Sequence, residues 1–437
     1  SKSIMKNRFL TLLLISFLPV VAAAQLSVSL EYRPRAEIRE GYRILPDSSS
    51  QTNYGISHRA RITALYQKDW LRMGFGVQDV RSWGDDNTYN SGGMYGNDAS
   101  IDLSEAWVQM NFLKNSSIKI GRQFLVYDDQ RFFSTRNWNQ SNLYYDAILY
   151  RLSKEKFELD AAFSTNLDKD TLFTIWYTPK KVKMLNLVHA SYAFSPDFTG
   201  SLMILGYGYT KNQKSSTIYM RGTYGIFLDY KKEGTILWAS AYYQNGKNAT
   251  GRDVSAYNLN ISVGKKVGKL KPGLGFSLNS GDKAESADTT SNPGSDNLFD
   301  MLYGNSHQFY GHLDYFVNMP KGTANGGLLD FYATFQYQVS QNTALLADYH
   351  YFKLNQDIID PRFNDFSKKI SEKSLGHEVD LGFRISFSKE VKLQGGYSFM
   401  FQDETLEIIQ GKKPGTTELP KWGWLMLTVN PEIFSSK

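Results

Sequence analysis

Arginine is the residue type whose placement in this chain suggests chemistry. Past residue 25, Arg33, Arg35, Arg39, Arg43, Arg59, Arg61, Arg72, Arg81, Arg122, Arg131, Arg136 and Arg151 fall before residue 160, and only Arg221, Arg252, Arg362 and Arg384 follow. A guanidinium keeps its charge at any physiological pH and presents a planar fork of donors that fits a carboxylate. Several of these groups stand two residues apart (Arg33 and Arg35, Arg59 and Arg61), and so do the acids Glu378 and Asp380. That spacing puts both members on one face of an extended strand. A wall of such groups lowers the barrier for an anion and raises it for a cation. The other reading is that the arginines pair with Glu31, Glu37, Glu105, Glu378 and Asp380 and stiffen the interior, and the two readings are compatible.

The elements that must hold these residues are strands of unusual polarity. From Leu375 to Phe387, Val379, Leu381, Phe383, Ile385 and Phe387 alternate with Glu378, Asp380, Arg384 and Ser386, with Gly376 and Gly382 between. One face is greasy and the other ionic. A soluble sandwich also alternates but seldom carries Asp, Glu and Arg on long, closely repeated strands. A transmembrane barrel turns its apolar face to lipid and its charged face to a watery lumen. The expected fold is therefore all-β, a transmembrane antiparallel β-barrel.

Periodicity places eighteen strands, at 26–38, 55–68, 70–82, 101–112, 117–127, 143–153, 156–166, 184–195, 198–210, 216–230, 234–245, 253–267, 270–281, 328–340, 343–355, 374–388, 391–403 and 421–430. Tight polar connections such as Lys68-Asp69 and Ser195-Pro196-Asp197 alternate with Gly-, Asn-, Asp- and Ser-rich stretches at 39–54, 83–100, 282–327, 356–373 and 404–420. Short turns on the periplasmic side and long loops outside are the habit of outer-membrane barrels, and an even count returns both termini to the periplasm. Leu172 to Tyr177 does not fit a strand and is expected in an external loop. By parity Arg33, Arg35, Arg59, Arg61, Arg72, Arg384, Glu31 and Lys392 face the lumen, while Val28, Leu30, Tyr32, Phe331, Phe335, Tyr397 and Phe401 face lipid.

The N-terminus has the order of a secretory signal: Lys6 and Arg8, an apolar run from Phe9 to Val21, then Ala22-Ala23-Ala24 before Gln25. This divides the chain into a signal at 1–24 and one barrel domain at 25–437. After Gln25 no apolar run approaches the ~20 residues of a membrane helix. An aromatic content of 14%, with 28 Tyr and 27 Phe, suits girdles at two lipid–water interfaces. Zero Cys excludes disulfides and thiol metal sites. Without Lys2, Lys6 and Arg8 the formal charge of +6 falls to about +3, too little for a nucleic-acid binder. The six histidines are scattered, so neither a metal site, a cofactor nor an enzymatic centre is expected. Asp282, Glu285, Asp288, Asp296 and Asp300 lack the spacing of a calcium loop.

Two stretches break the alternation. Gly121-Arg122-Gln123 runs into Asp128-Asp129-Gln130-Arg131, Arg136, Trp138 and Asp146, which suggests bulges or an inward-turned loop. Leu298 to Phe316, with Leu302-Tyr303-Gly304, His307, Gly311 and Asp314-Tyr315-Phe316, is too aromatic for a solvated loop and suits the mouth or the lumen. Together with Leu375-Gly376-His377-Glu378-Val379-Asp380 and Gly395-Gly396-Tyr397, these residues resemble the alginate export family of outer-membrane barrels, in the family's order along nearly the whole chain after residue 25. The resemblance implies an eighteen-stranded monomeric barrel whose electropositive, arginine-lined constriction passes an anionic polyuronate.

The sequence thus points to a passive outer-membrane channel for anionic saccharides or other organic anions. Its expected pore lining is Arg33, Arg35, Arg59, Arg61, Arg72, Arg122, Arg131, Arg136, Arg384, Glu31, Glu105, Glu378, Asp380 and Lys392. Its surroundings are outer-membrane lipid, with room for a periplasmic partner. The alternatives are a scaffold barrel with a plugged lumen inside an envelope complex, and a non-selective general porin.

Overall fold

A computed structural model describes residues 24–84, 100–167, 181–213, 215–284, 294–363 and 368–436. The signal-like segment through Ala23 and the stretch Leu172 to Tyr177 lie outside the described residues. The strands are β1 (Gln25–Glu40), β2 (Asn53–Lys68), β3 (Leu71–Ser82), β4 (Ser100–Leu113), β5 (Ser116–Gln123), β6 (Tyr145–Lys154), β7 (Phe157–Thr165), β8 (Val182–Ser195) and β9 (Phe198–Thr210). Then come β10 (Ile218–Lys232), β11 (Thr235–Lys247), β12 (Asp253–Lys265), β13 (Leu270–Asn279), β14 (Leu328–Gln338) and β15 (Thr343–Leu354). A two-residue hairpin, β16 (Ile358–Ile359) and β17 (Lys369–Ile370), decorates the next loop before β18 (Ser374–Ser386), β19 (Val391–Gln402), β20 (Lys421–Val429) and its continuation β21 (Glu432–Ser435).

Every barrel strand pairs antiparallel with its neighbours in sequence, and the ring closes when β20 and β21 pair with β1 through Ile38↔Gly423 and Val28↔Phe434. With β21 counted as part of β20, this is the eighteen-stranded barrel that the period-two pattern predicts. Closure leaves no unpaired edge, which a wall in hydrocarbon requires. Among the described residues no helix is long and apolar enough to cross a membrane, so any crossing is made by strands.

The wall is apolar outside and polar inside. On β12, Tyr257, Leu259, Ile261 and Val263 are exposed on the outer face, whereas Ala256, Asn258 and Asn260 are buried on the inner one. Phe331, Phe335, Tyr337, Tyr397 and Phe401 point outward as their parity predicts. Short turns close tightly: Glu233 and Gly234 both take positive φ, 49° and 77°, the conformation of a two-residue hairpin whose twist matches its strands.

The lumen is occupied by its own chain, which touches wall strands from β1 around to β18. Residues 124–144, between β5 and β6, and 294–327, between β13 and β14, turn inward and pack together. Leu125, Phe132, Phe133, Phe299, Tyr310, Leu313 and Phe316 form their core against Leu328, Phe352, Met400 and Trp422 of the wall. A parallel bridge links Phe133 to Tyr303, and the Asn305 N–H donates to the Gln130 carbonyl at 3.2 Å. The strand expected at 117–127 stops at Gln123. Gly121 has φ +120°, and a Cβ there would lie 2.2 Å from the Ala106 carbonyl, so the backbone kinks where only glycine fits and the chain leaves the sheet.

Candidate pore and its charged walls

One wall is basic. The register pairs Arg33 with Arg59 and Glu31 with Arg61 across β1 and β2, so all four share the inner face. Arg33, Arg35 and Arg59 are 2%, 7% and 1% exposed. What covers them is the amide-rich run Asn137-Trp138-Asn139-Gln140-Ser141-Asn142 of the first inward segment. Arg33 donates to the Asn137 and Asn139 carbonyls at 2.6 and 2.7 Å and to Gln140 Oε1 at 3.2 Å. Arg35 donates to the Trp138 carbonyl at 2.7 Å and lies 4.2 Å from the centre of its ring. Arg59 reaches Glu31 Oε1 at 3.0 Å, Asn137 Oδ1 at 2.9 Å and the Gln140 carbonyl at 3.2 Å, and it also bonds Asn142. Arg61 donates to Gln78 Oε1 at 2.8 Å. Most of these acceptors are neutral. They satisfy donors without cancelling charge, and only Glu31 and Glu37 (3.2 Å from Arg35) offer a counter-ion to the four guanidiniums.

A second sector, two strands away around the ring, is acidic. Asp330 on β14, Asp348 and His350 on β15, and Glu378 and Asp380 on β18 come together through the pairs Asp348↔Asp380 and His350↔Glu378. His350 Nδ1 is 3.0 Å from Asp330 Oδ1. Glu378 Oε1 accepts the Leu313 N–H at 2.7 Å, and Gly311, at φ +75°, sits so close that a Cβ would be 2.4 Å from that carboxyl. Asp380 is 3.6 Å from His312 Nδ1, yet both of its oxygens, and Oε2 of Glu378, are buried with no hydrogen-bond partner among the described residues. Between the walls stand β19 and β20, with Ser398, Met400 and Trp422 inward and buried.

The inward segments bridge the walls. His307 stacks on Trp138 at 4.5 Å and on His312 at 5.1 Å. Asp314 accepts from the Tyr42 hydroxyl, from Arg43 Nη2 at 2.8 Å and from His307 Nδ1 at 2.6 Å. Burial alone raises the Asp314 carboxyl, but His307, Tyr42 and Arg43 outweigh it and hold it at about 2. Burial pushes the His307 imidazole below its ordinary value, against the pull of Asp314. Arg131, 1% exposed, donates to Asp129 at 3.1 Å and to the Tyr310 hydroxyl at 3.0 Å under the face of Phe309.

The remaining sequence candidates are spread out. Arg72 faces inward near the short-turn end, opposite Gln67 and Gln109. Arg384 lies opposite Ala344 and Gln394, and Lys392 opposite Ser386, on the same end of the acidic sector. Glu105 accepts the Trp107 indole N–H at 3.2 Å. Arg122 is in register with Asp146, to which it donates at 3.0 Å, in the row that carries Ile120 and Ile148 on the outer face. Arg136, held at φ +45°, donates Nε to the Tyr303 and Gly304 carbonyls and edges a cavity of about 450 Å³. Sequence reasoning did not single out Asp348, His350 or the Arg221–Asp296–Asp300 group as lining residues, although parity turns Asp330 to the lumen. The Asn/Gln-rich run 137–142 was the available signal for what holds the arginines. Among the described residues no group of three or more His, Asp or Glu side chains is placed to hold a metal.

A closed eighteen-stranded wall, apolar outside and charged inside, with loops folded into the lumen, is the architecture of an outer-membrane channel. The chain matches the alginate export family over residues 24–413. It belongs to that family, an outer-membrane porin-like barrel and not an enzyme. Solved structures of similar fold include Acinetobacter baumannii OccAB1 (TM-score 0.60, 11% identity, 94% of this chain and 97% of that one). Pseudomonas aeruginosa OccK9 (OpdG) follows (TM-score 0.59, 11% identity, 93% and 98%). The outer membrane protein OprD from Pseudomonas aeruginosa is a third (TM-score 0.57, 12% identity, 93% and 94%). No curated relative matches the chain.

Proposed function

We propose that this barrel passes anionic saccharides such as alginate, or other organic anions, by passive diffusion along the β1–β2 arginine wall, after export directed by residues 1–24. The observation that carries this reading is the mismatch on that wall. Four guanidiniums face two carboxylates, and the rest of their hydrogen bonds end on neutral amides and carbonyls. Their field therefore extends into the lumen even though most of their donors are hydrogen-bonded, and it attracts carboxylates. The acidic sector two strands away around the ring gives the field a direction, so a carboxylate is drawn to the arginine side. The chain acts as a monomer in this reading, with its short turns toward the periplasm.

The test is conductance in planar bilayers, with the reversal potential read in a KCl gradient. Anion preference that collapses when Arg33 and Arg59 are replaced by Glu supports the proposal. Cation preference in the native protein rejects it, and an unchanged preference in that variant points to a general porin. One observation favours a second reading, a plugged scaffold barrel: Phe132, Phe133, Phe299 and Phe316 are 0–1% exposed inside the lumen. That reading requires no conductance with both inward segments intact.

A further inference from the structure

At the short-turn end two neighbouring hairpins carry an excess of lysine. The β10–β11 turn is Lys231-Lys232-Glu233-Gly234, and the β12–β13 turn runs Lys265-Lys266-Val267-Gly268-Lys269. Residues 229–233 and 265–269 together hold five lysines against two carboxylates, Asp229 and Glu233. Other short turns differ: Lys68 stands beside Asp69, Lys389 beside Glu390, and 340–342 carries no charge. The two hairpins are locked into one platform. The Lys266 N–H donates to the Gly234 carbonyl at 2.8 Å, and Lys265 Nζ reaches back to the Glu233 carbonyl at 3.1 Å and to Thr235 Oγ1 at 2.8 Å. Lys269 Nζ donates to the Val339 carbonyl at 3.2 Å. These acceptors are neutral and leave the ammonium charge in place. Among the described residues only Lys231 of the five has a carboxylate within ion-pair distance, Asp229 at 2.5 Å. All five lysines are exposed.

The register shows which way this charge points. Tyr230, Leu237, Val263 and Leu274 form one row across β10 to β13 on the outer face, with Val263 and Leu274 44% and 63% exposed. The next row toward the turns, on the same face, is Lys232, Thr235 and Lys265. Its two lysines flank β11, roughly 10 Å apart at two strand spacings. Cations that point outward beside a greasy row stand where ammonium groups snorkel to lipid headgroups. A soluble acidic partner would meet Val267, apolar and 61% exposed at the tip of the second turn; a lipid takes up that side chain together with the row beside it. We infer that the paired hairpins hold an anionic phospholipid, with its phosphate between Lys232, Thr235 and Lys265 and its acyl chains along Val263 and Leu274. Thr235 Oγ1 accepts from Lys265 and still has its own hydrogen to donate to a phosphate oxygen. This inference goes beyond the channel reading and is independent of what the lumen passes.

The test is native mass spectrometry of the full-length protein in neutral detergent, after incubation with equal amounts of dioleoyl phosphatidylglycerol and dioleoyl phosphatidylcholine. Each lysine near an anionic lipid contributes about fivefold to binding, so phosphatidylglycerol is expected to be retained about tenfold or more over phosphatidylcholine. Joint replacement Lys232→Gln and Lys265→Gln is expected to remove that preference. Lys232→Arg with Lys265→Arg should keep it, and Lys68→Gln with Lys389→Gln should leave it unchanged. If the doubly substituted chain fails to fold, as judged by its heat-shifted gel mobility, Lys232→Gln alone carries the test with a loss of about fivefold. Equal retention of the two lipids, or a preference that survives the loss of both lysines, overturns the inference. Glycerol phosphate and hexaglutamate are the competing probes. Displacement of the lipid by glycerol phosphate at equal concentration would make the platform a site for free phosphate, and displacement by hexaglutamate a site for an acidic protein; either overturns the lipid assignment. The reversal potential of the Lys232→Gln, Lys265→Gln protein is expected to stay native, so the platform and the channel reading fail separately.

Discussion

The β1–β2 wall and the β14–β18 wall are built from the same backbone geometry and the same parity rule, yet they hold their charges in opposite ways. The basic wall is densely hydrogen-bonded at Arg33 and Arg59. The donors of Arg33 and Arg59 fan out over the carbonyls and amides of residues 137–142, so these guanidiniums are both charge and mortar for the first inward segment. On the acidic wall Asp330 has His350, but the β18 carboxyls have few donors. Glu378 receives one backbone N–H, and Asp380 has no hydrogen-bond partner among the described residues. The comparison teaches that the lumen's positive side is tied into the inward segment by hydrogen bonds, while its negative side at Glu378 and Asp380 is weakly bonded.

The comparison breaks most sharply at Arg59. Replacing it by Gln leaves Glu31 with only the 3.8 Å contact to Arg61 and removes a main anchor of Asn142 and Gln140. The expected cost is about 3–5 kcal/mol, the range for a buried pair that loses one partner. Urea unfolding of the protein in lipid vesicles measures it. A loss below ~1 kcal/mol would mean that the basic wall is not what holds the inward segment.

Acid should loosen the bridge between the walls. In the native protein burial holds His307 below its ordinary value of 6.5, and its donors hold Asp314 at about 2 against an ordinary 3.8. In both cases the unfolded chain takes up the proton first, so stability falls as pH falls. The loss starts below about 6.5 for His307 and runs between about 4 and 2 for Asp314, where it amounts to about 2 kcal/mol. Trp138 stacks on His307, so its fluorescence follows the change, with Trp138→Phe as the blank. Asp314→Asn should abolish the lower step.

Much of this was legible in the chain. The eighteen strands follow from alternation alone, because a wall in lipid must turn every second side chain outward. Parity also placed Arg33, Arg35, Arg59 and Arg61 on one face. Arg122 escaped it: the kink at Gly121 lies one residue earlier, and pairing with Asp146 is a property of register that spacing along one strand does not reveal. The partners of the arginines were equally hidden, since residues 137–142 are about a hundred positions from Arg33. The aromatic stretch 298–316 announced itself as unfit for water, but its seat against Glu378 depends on the lumen into which it folds.

Gly311 sharpens the acidic side of the comparison. Its φ of +75° and its approach to Glu378 mean that alanine would strain the backbone and press on a carboxyl that already has few donors. A loss of about 1–2 kcal/mol is expected from the backbone alone. Gly268, at φ +59° with open space around it, is the matched control, since Gly268→Ala carries the backbone strain without the contact. Equal losses in the two variants would show that the turn at 309–314 does not lean on Glu378.

The smallest effect is expected at Asp380, and it is the most telling. A buried carboxylate whose oxygens accept no hydrogen bond gives up little when it becomes an amide, because the desolvation of its charge is relieved at the same time. Asp380→Asn should change stability by no more than about 1 kcal/mol, in contrast to Arg59→Gln on the other wall. Its conductance should move the opposite way from that of an arginine variant, with anion preference increased, because one acidic group leaves the lumen while the arginine wall keeps its charge. A strongly destabilised Asp380→Asn would mean that His312, 3.6 Å away, is a charged partner, and the acidic wall would then be as structural as the basic one.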